Sequence, residues 1–135
     1  MNTFQRKTED ARQTIILVED DPANAEVLAL LLQTESTYDV VRFSDGLEAL
    51  ANLDSIKGKQ PALFLLDYQL SGMTALDLYE RFHGIQELEK VPAVIVSATT
   101  LDERQKERLQ HLGLLLIQKP YDIDDLLATI EQVIT

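Results

Sequence analysis

Five short apolar runs punctuate the chain, at 15–18, 40–43, 62–66, 93–96 and 114–117, and most are rich in Val, Ile, Leu and Phe. Their length suits strands, and several lack the polar–apolar alternation of a strand with one wet face. Runs that are apolar on both faces belong in a parallel sheet, whose crossover helices cover both sides. Helical patterns fill the intervals. Asp21 and Pro22 make a cap and first-turn pair, followed by Val27, Leu28, Leu31 and Leu32 at helical spacing. Asp45 and Gly46 open a second short helix that runs through Leu53. A third, from Thr74 to Phe82, carries Leu76, Tyr79 and Phe82 on one face. The fourth, 102–112, is mostly charged, with Leu101, Leu109 and Leu112 as a thin stripe, and is expected to be the least firmly packed. The fifth runs from Asp122 to the C-terminus with Ile123, Leu126, Leu127, Ile130 and Val133 on one face. Gly113 stops the fourth helix and Lys119-Pro120 ends the last strand. Strand and helix alternating five times predict an α/β fold: a flavodoxin-like, doubly wound, five-stranded parallel sheet with five helices.

Size and charge narrow the function. At 135 residues the chain has room for one core. With 23 acidic against 12 basic residues, the net charge of −11 disfavours nucleic acid and anionic membrane surfaces as partners. No Cys is present, so disulfides, thiolate nucleophiles and thiolate metal sites are excluded. Residues 1–13 are polar and lack the apolar stretch of a signal peptide, so they are expected to form a flexible N-terminal tail, locally basic at Arg6, Lys7 and Arg12, on a cytoplasmic protein. The folded domain is expected over 14–135.

In doubly wound sheets, ligands bind at the carboxyl ends of the strands. Those positions hold Glu19, Asp20 and Asp21 after the first strand, Asp67 after the third, Ser97 after the fourth and Lys119 after the fifth. Asp21, directly before Pro22, is best explained as a helix cap. Capping does not explain the others. Asp67 ends the run Leu63-Phe64-Leu65-Leu66, where an uncompensated carboxylate is costly. Glu19, Asp20 and Asp67 together would raise one another's pKa unless a cation neutralised them. Oxygen ligands without nearby Cys or His select Mg²⁺, whose remaining positions suit phosphoryl oxygens. Asp67 is the expected nucleophile, with Lys119 and Ser97 serving the phosphoryl oxygens.

These residues in this order resemble the receiver domain of bacterial response regulators. The matching stretches are Ile-Leu-Val-Glu-Asp-Asp-Pro at 16–22, Asp-Gly-Leu-Glu-Ala-Leu at 45–50, Leu-Leu-Asp at 65–67, Val-Ser-Ala at 96–98 and Lys-Pro-Tyr-Asp at 119–122. The resemblance implies that Asp67 accepts a phosphoryl group from a sensor histidine kinase or histidine phosphotransfer protein. It implies Mg²⁺ held by Glu19, Asp20, Asp67 and the backbone carbonyl of Gln69, with Asp20 the direct ligand of the acidic pair. Ser97 would bind a phosphoryl oxygen, Lys119 would pair with the phosphoryl group, and the Lys119–Pro120 bond would be cis. Such a protein catalyses its own phosphorylation and dephosphorylation without being a turnover enzyme. Filling the whole chain, it would act through a downstream protein target or a phosphorelay. A homodimer would form through the face of the fourth helix, fifth strand and fifth helix.

Three positions depart from the family pattern. Ser71 stands where Pro is usual and Ala75 where Gly is common, which predicts a different path for the loop after Asp67. Leu116 replaces the usual Tyr or Phe of the switch, so an aromatic rotamer change cannot report phosphorylation. This substitution motivates an alternative, a degenerate receiver acting as a phosphorylation-independent interaction module. A flavin carrier is disfavoured because Glu19-Asp20-Asp21 would repel a flavin phosphate, and a dehalogenase-type phosphohydrolase because Gln69 stands where it needs a second Asp. His83 and His111 are expected at the surface, and Tyr121 as a packing residue or partner contact.

Overall fold

The structure is a computed structural model and describes residues 12–134. In chain order it contains β1 (Thr14–Val18), α1 (Pro22–Glu35), β2 (Asp39–Phe43), α2 (Gly46–Ala51), α3 (Leu53–Lys59) and β3 (Leu63–Asp67). A small hairpin follows, β4 (Gln69–Leu70) and β5 (Met73–Thr74), then α4 (Ala75–His83) and a 3-10 turn (Gln86–Leu88). The chain closes with β6 (Ala93–Ser97), α5 (Glu103–His111), β7 (Leu115–Gln118) and α6 (Ile123–Ile134). Five strands form one sheet in the order β2-β1-β3-β6-β7, parallel throughout. The strand order reverses between β1 and β3, which makes their carboxyl ends the expected ligand crevice.

The two-residue period of the strands divides the core in two. Ile16, Val18, Phe64, Leu66 and Ile95 face the layer formed with α2 to α5, where the Phe64 and Phe82 rings stack at 4.3 Å. Ile15, Leu17, Leu63, Leu65, Val94 and Val96 face the other layer, closed by α1 and α6. Strands β1 and β6 are buried at every position and β3 at every position except Asp67. The edge strands β2 and β7 are only partly covered.

Local chemistry sets the boundaries. Asp21 caps α1 by accepting from the backbone N–H groups of Ala23 and Asn24 at 3.0 and 3.4 Å, as the sequence predicts. Thr74 with Asp77 and Asp102 with Gln105 form reciprocal capping boxes on α4 and α5. Gly113 takes φ 71° just after α5, a left-handed conformation that favours glycine.

The expected architecture holds, with three local differences. The second helical pattern is two helices, making six among the described residues: Asn52 interrupts it, its amide donating 2.8 Å to the Glu48 carbonyl and its backbone leaving helical geometry. On α1, Val27 faces solvent, and the buried face is Ala25, Leu28, Ala29 and Leu32, because small alanines let the helix approach the sheet. The hairpin β4–β5 has strands too short to leave a periodic signal. Residues 1–11, most of the expected tail, lie outside the described residues. Arg12 pairs with Asp39 at 2.8 Å and donates to the Tyr38 carbonyl.

Two glycines give opposite expectations. A Cβ on Gly46, at the start of α2, would lie 2.5 Å from the Met73 sulfur of the hairpin, whereas one on Gly58 within α3 meets nothing within 4 Å. Gly46→Ala is expected to lower unfolding stability by about 1–2 kcal/mol through overpacking. Gly58→Ala should raise it by about 0.5–1 kcal/mol through helix propensity. Urea denaturation of the two variants checks both signs.

Candidate functional site

Strands β1 and β3 run side by side with Val18 opposite Leu66, so the residues that follow emerge together. Glu19 continues the line of β1, its N–H donating 3.2 Å to the Phe43 carbonyl, and is buried. Asp20 is exposed beside it, and Asp67 ends β3 half-buried. Carboxylate oxygens of Glu19, Asp20 and Asp67 all lie within 4.8 Å of one another. On the far side of β6, the Lys119 N–H donates 2.8 Å to the Ser97 carbonyl, and the following peptide bond to Pro120 is cis. The Lys119 ammonium reaches back to 3.1 Å from Glu19 Oε1 and 3.8 Å from Asp67 Oδ1.

This cluster lines an open cleft of about 490 Å³ that also contains Gln69, Ser97 and Thr99. All six residues singled out from the sequence therefore share one cavity. The Ser97 hydroxyl donates 2.8 Å to the Thr99 carbonyl and accepts from the Thr99 N–H at 3.2 Å. Gln69 is exposed on β4 at the rim. Asn24 and Ser71 also line the cleft, and sequence reasoning gave neither a role there. Asn24 follows Asp20 by four residues, and Pro22 already marks a helix, so its position could have been anticipated. Ser71 donates 3.4 Å to Asp20 Oδ2 across 51 residues, a contact without a local sequence signal. His83 and His111 are exposed and lie outside the lining, His83 against the Tyr79 ring. Tyr121 packs, half-buried, on the α1 and α6 layer.

Burial pushes the Asp67 carboxyl up to about 7, reinforced by the hydrogen bond and charge of Glu19 and the charge of Asp20, against the opposing pull of Lys119. Lys119 is shifted downward by burial, but its hydrogen bond to Glu19 and the charges of Asp67 and Glu19 outweigh that and hold it above its ordinary value. The site is thus short of positive charge. An all-oxygen cluster of this kind fits a hard divalent cation.

Comparison with known proteins gives the same fold and a family. A family profile, the response regulator receiver domain, matches residues 15–131. The chain belongs to the response regulator receiver family. The polar-differentiation response regulator DivK of Brucella abortus is 28% identical over 120 residues, covering 88% of this chain and 94% of DivK. Among solved structures, a response regulator receiver protein from Pseudomonas putida superposes with a TM-score of 0.78 at 26% identity, covering 90% of this chain and 98% of that one. The chemotaxis protein CheY4 of Vibrio cholerae, at 21% identity, shares the fold with a TM-score of 0.80 over 91% of this chain and 99% of its own.

In this receiver Leu116 pairs with Ile95 and packs, half-buried, against the layer that holds Leu101, Leu109 and Leu114. Helix α5, expected to be loosely held, is pinned by more than its leucines: Arg108 is paired with Asp77 at 3.0 Å and with Glu80 on α4. Tyr68, next to Asp67, is buried in the same layer as Leu101 and Leu109.

The shift at Asp67 carries a sign. Its folded value, about 7, lies above the ordinary 3.8, so without metal the folded state binds this proton more tightly than the unfolded chain. The resulting stability is complete below the ordinary value and is lost as pH rises through about 7. Metal-free protein should therefore lose stability between those limits. In Asp67→Asn that loss should shrink, leaving the variant more stable at pH 8 by more than about 1 kcal/mol. Chemical denaturation across pH in the presence of a chelator measures both effects.

Proposed function

We propose that Asp67 is the phosphoacceptor of this receiver, taking a phosphoryl group from a phosphohistidine on a sensor histidine kinase or histidine phosphotransfer protein in a Mg²⁺-dependent reaction. The observation that carries this reading is the convergence of Glu19, Asp20 and Asp67 within 4.8 Å, with Lys119 as the neighbouring cation. Three carboxylates and one ammonium call for a proton or a metal ion to balance them. Glu19, Asp20, Asp67 and the Gln69 carbonyl are the groups that would hold Mg²⁺. When bound, the ion supplies neutralising charge at the phosphoryl oxygens.

The remaining work falls to the chain. An Asp67 oxygen attacks phosphorus, a P–O bond forms, and the P–N bond breaks with its electron pair leaving on the imidazole. Lys119, already poised between Glu19 and Asp67, pairs with one phosphoryl oxygen. Ser97 exchanges its bond to the Thr99 carbonyl for one to another oxygen, which frees the segment leading into α5 and biases a two-state equilibrium. Attack of water on the acyl phosphate returns Asp67 to its starting state. The phosphorylation-independent alternative has Leu116 in its favour and the whole assembled cleft against it.

A second, more apolar cleft of about 380 Å³ adjoins the first and shares Glu19, Asn24 and Lys119 with it. Val27 lines it, and Val27 and Leu30 on the same face of α1 are each 58% exposed. That apolar face beside Asp67 is suited to seat the histidine-bearing partner. Output would pass to a downstream protein or along a phosphorelay, and a homodimer would use the α5, β7 and α6 face, where Leu115 is exposed. The described residues contain no helix long and apolar enough to cross a membrane.

Incubation with acetyl phosphate and Mg²⁺ should add one phosphoryl increment to the intact mass, and Asp67→Asn should abolish it. An increment that persists in that variant would overturn the assignment. Val27→Asp with Leu30→Asp should slow transfer from a phosphorylated histidine protein by at least about tenfold, equivalent to 1.4 kcal/mol, while leaving labelling by acetyl phosphate unchanged. Equal slowing with both donors would remove α1 as the docking face.

A further inference from the structure

The turn between β4 and β5 consists of Ser71 and Gly72. Gly72 takes φ 81°, while Ser71 is not among the residues with positive φ. That combination is the pattern of a type II turn, in which the first central position favours proline and the second glycine. Ser71 therefore gives up the rigidity that proline would lend the turn. What it has in exchange is a hydroxyl, and that hydroxyl donates to Asp20 Oδ2 at 3.4 Å. The contact joins the loop after β1 to the loop after β3, and both line the acidic cleft.

Asp20 needs such a partner more than its neighbours do. Glu19 is buried and held by Lys119 at 3.1 Å and by the Asp21 N–H at 3.1 Å. Asp67 sits at the end of a core strand with Lys119 at 3.8 Å. Asp20 is exposed, and the Ser71 hydroxyl on the turn opposite is a donor that its carboxylate accepts from. A carboxylate that accepts a hydrogen bond on one oxygen presents the other in a fixed direction, and outer partners of this kind raise metal affinity by about 10–100-fold.

We infer that Ser71 is a positioning residue for the divalent cation, orienting Asp20 through its hydroxyl. The bond is long for O–H···O, so its effect belongs at the low end of that range. This inference rests on the metal reading of the cleft proposed above.

The test is calorimetric titration of Mg²⁺ into the full chain and into Ser71→Ala, Ser71→Thr and Ser71→Pro, with circular dichroism confirming that each is folded. Ser71→Ala should weaken Mg²⁺ binding by about tenfold, and Ser71→Thr, which keeps the hydroxyl, should restore most of it. Ser71→Pro, which suits the turn but has no hydroxyl, should bind as weakly as the alanine variant. Unchanged affinity in Ser71→Ala, or affinity restored by proline and not by threonine, would overturn the role of the hydroxyl. If the unsubstituted chain bound no Mg²⁺ at millimolar concentration, the metal reading itself would fall, and the inference with it. That outcome is distinct from a cation that binds but is indifferent to Ser71.

Discussion

Among the described residues, the ammonium of Lys119 is the counter-charge in a site that otherwise gathers carboxylates at the ends of buried strands. It lies 3.1 Å from Glu19 and 3.8 Å from Asp67. Removing one partner of a largely buried ion pair strands the other without compensation, typically at about 3–5 kcal/mol. The geometry of three strands serves this contact. Lys119 can reach Glu19, a hundred residues away, because its backbone is tied to Ser97 on β6 and because β3 separates β6 from β1 in the sheet. Asp67 at the end of β3 is thereby placed under the same ammonium. Compensation is nonetheless partial: burial first, and then the hydrogen bond and charge of Glu19, raise Asp67 well above an ordinary carboxyl against the pull of Lys119. A fold that holds a carboxylate in this condition has stored a demand for positive charge that a cation can answer.

What could be read from the sequence followed from where the signal is local. A strand that is apolar on both faces and then ends on an acid, a hydroxyl or a lysine shows its last residue plainly, and Glu19, Asp67, Ser97 and Lys119 all have that form. Parallel connectivity brings such residues to one edge, so convergence followed from topology alone. Features that depend on distant or very short elements were not legible. The Ser71–Asp20 contact spans 51 residues, and the hairpin that creates it has two residues per strand. Periodicity also misplaced Val27, because alanine carries little weight in a hydrophobic stripe, whereas in packing Ala25 and Ala29 allow the close approach of α1 to the sheet. The break at Asn52 is a competition between a side-chain amide and the helical ladder, which composition does not reveal.

Helix α5 shows how the two kinds of information combine. Its sequence is mostly charged, and the thin stripe of Leu101, Leu109 and Leu112 implies weak attachment. In the fold, some of those charges are directed inward. Arg108 bridges to Asp77 and Glu80 on α4, and Gln105 completes the capping box with Asp102. Exposed ion pairs of this kind contribute little individually, so α5 is held by several modest contacts together with Leu101 and Leu109. An element attached in this way is suited to two arrangements close in energy.

Leu116 bears directly on how such a helix could be moved. Packed between Ile95 and the leucines of the α5 layer, it is a passive part of the core, and no hydroxyl or ring on it can respond to a change at Asp67. Ser97 and Thr99 both line the cleft on the way to α5, and the Ser97 hydroxyl is bound to both the carbonyl and the N–H of Thr99. Those two bonds hold the segment that delivers Leu101 to the core and Asp102 to its cap. Any reaction at Asp67 that draws on the Ser97 hydroxyl must remove the bond it donates to Thr99, and that bond lies on the shortest covalent path into α5. The loss of an aromatic at position 116 therefore does not disconnect the helix from the site; it leaves the connection to the backbone of β6 and the segment that follows it.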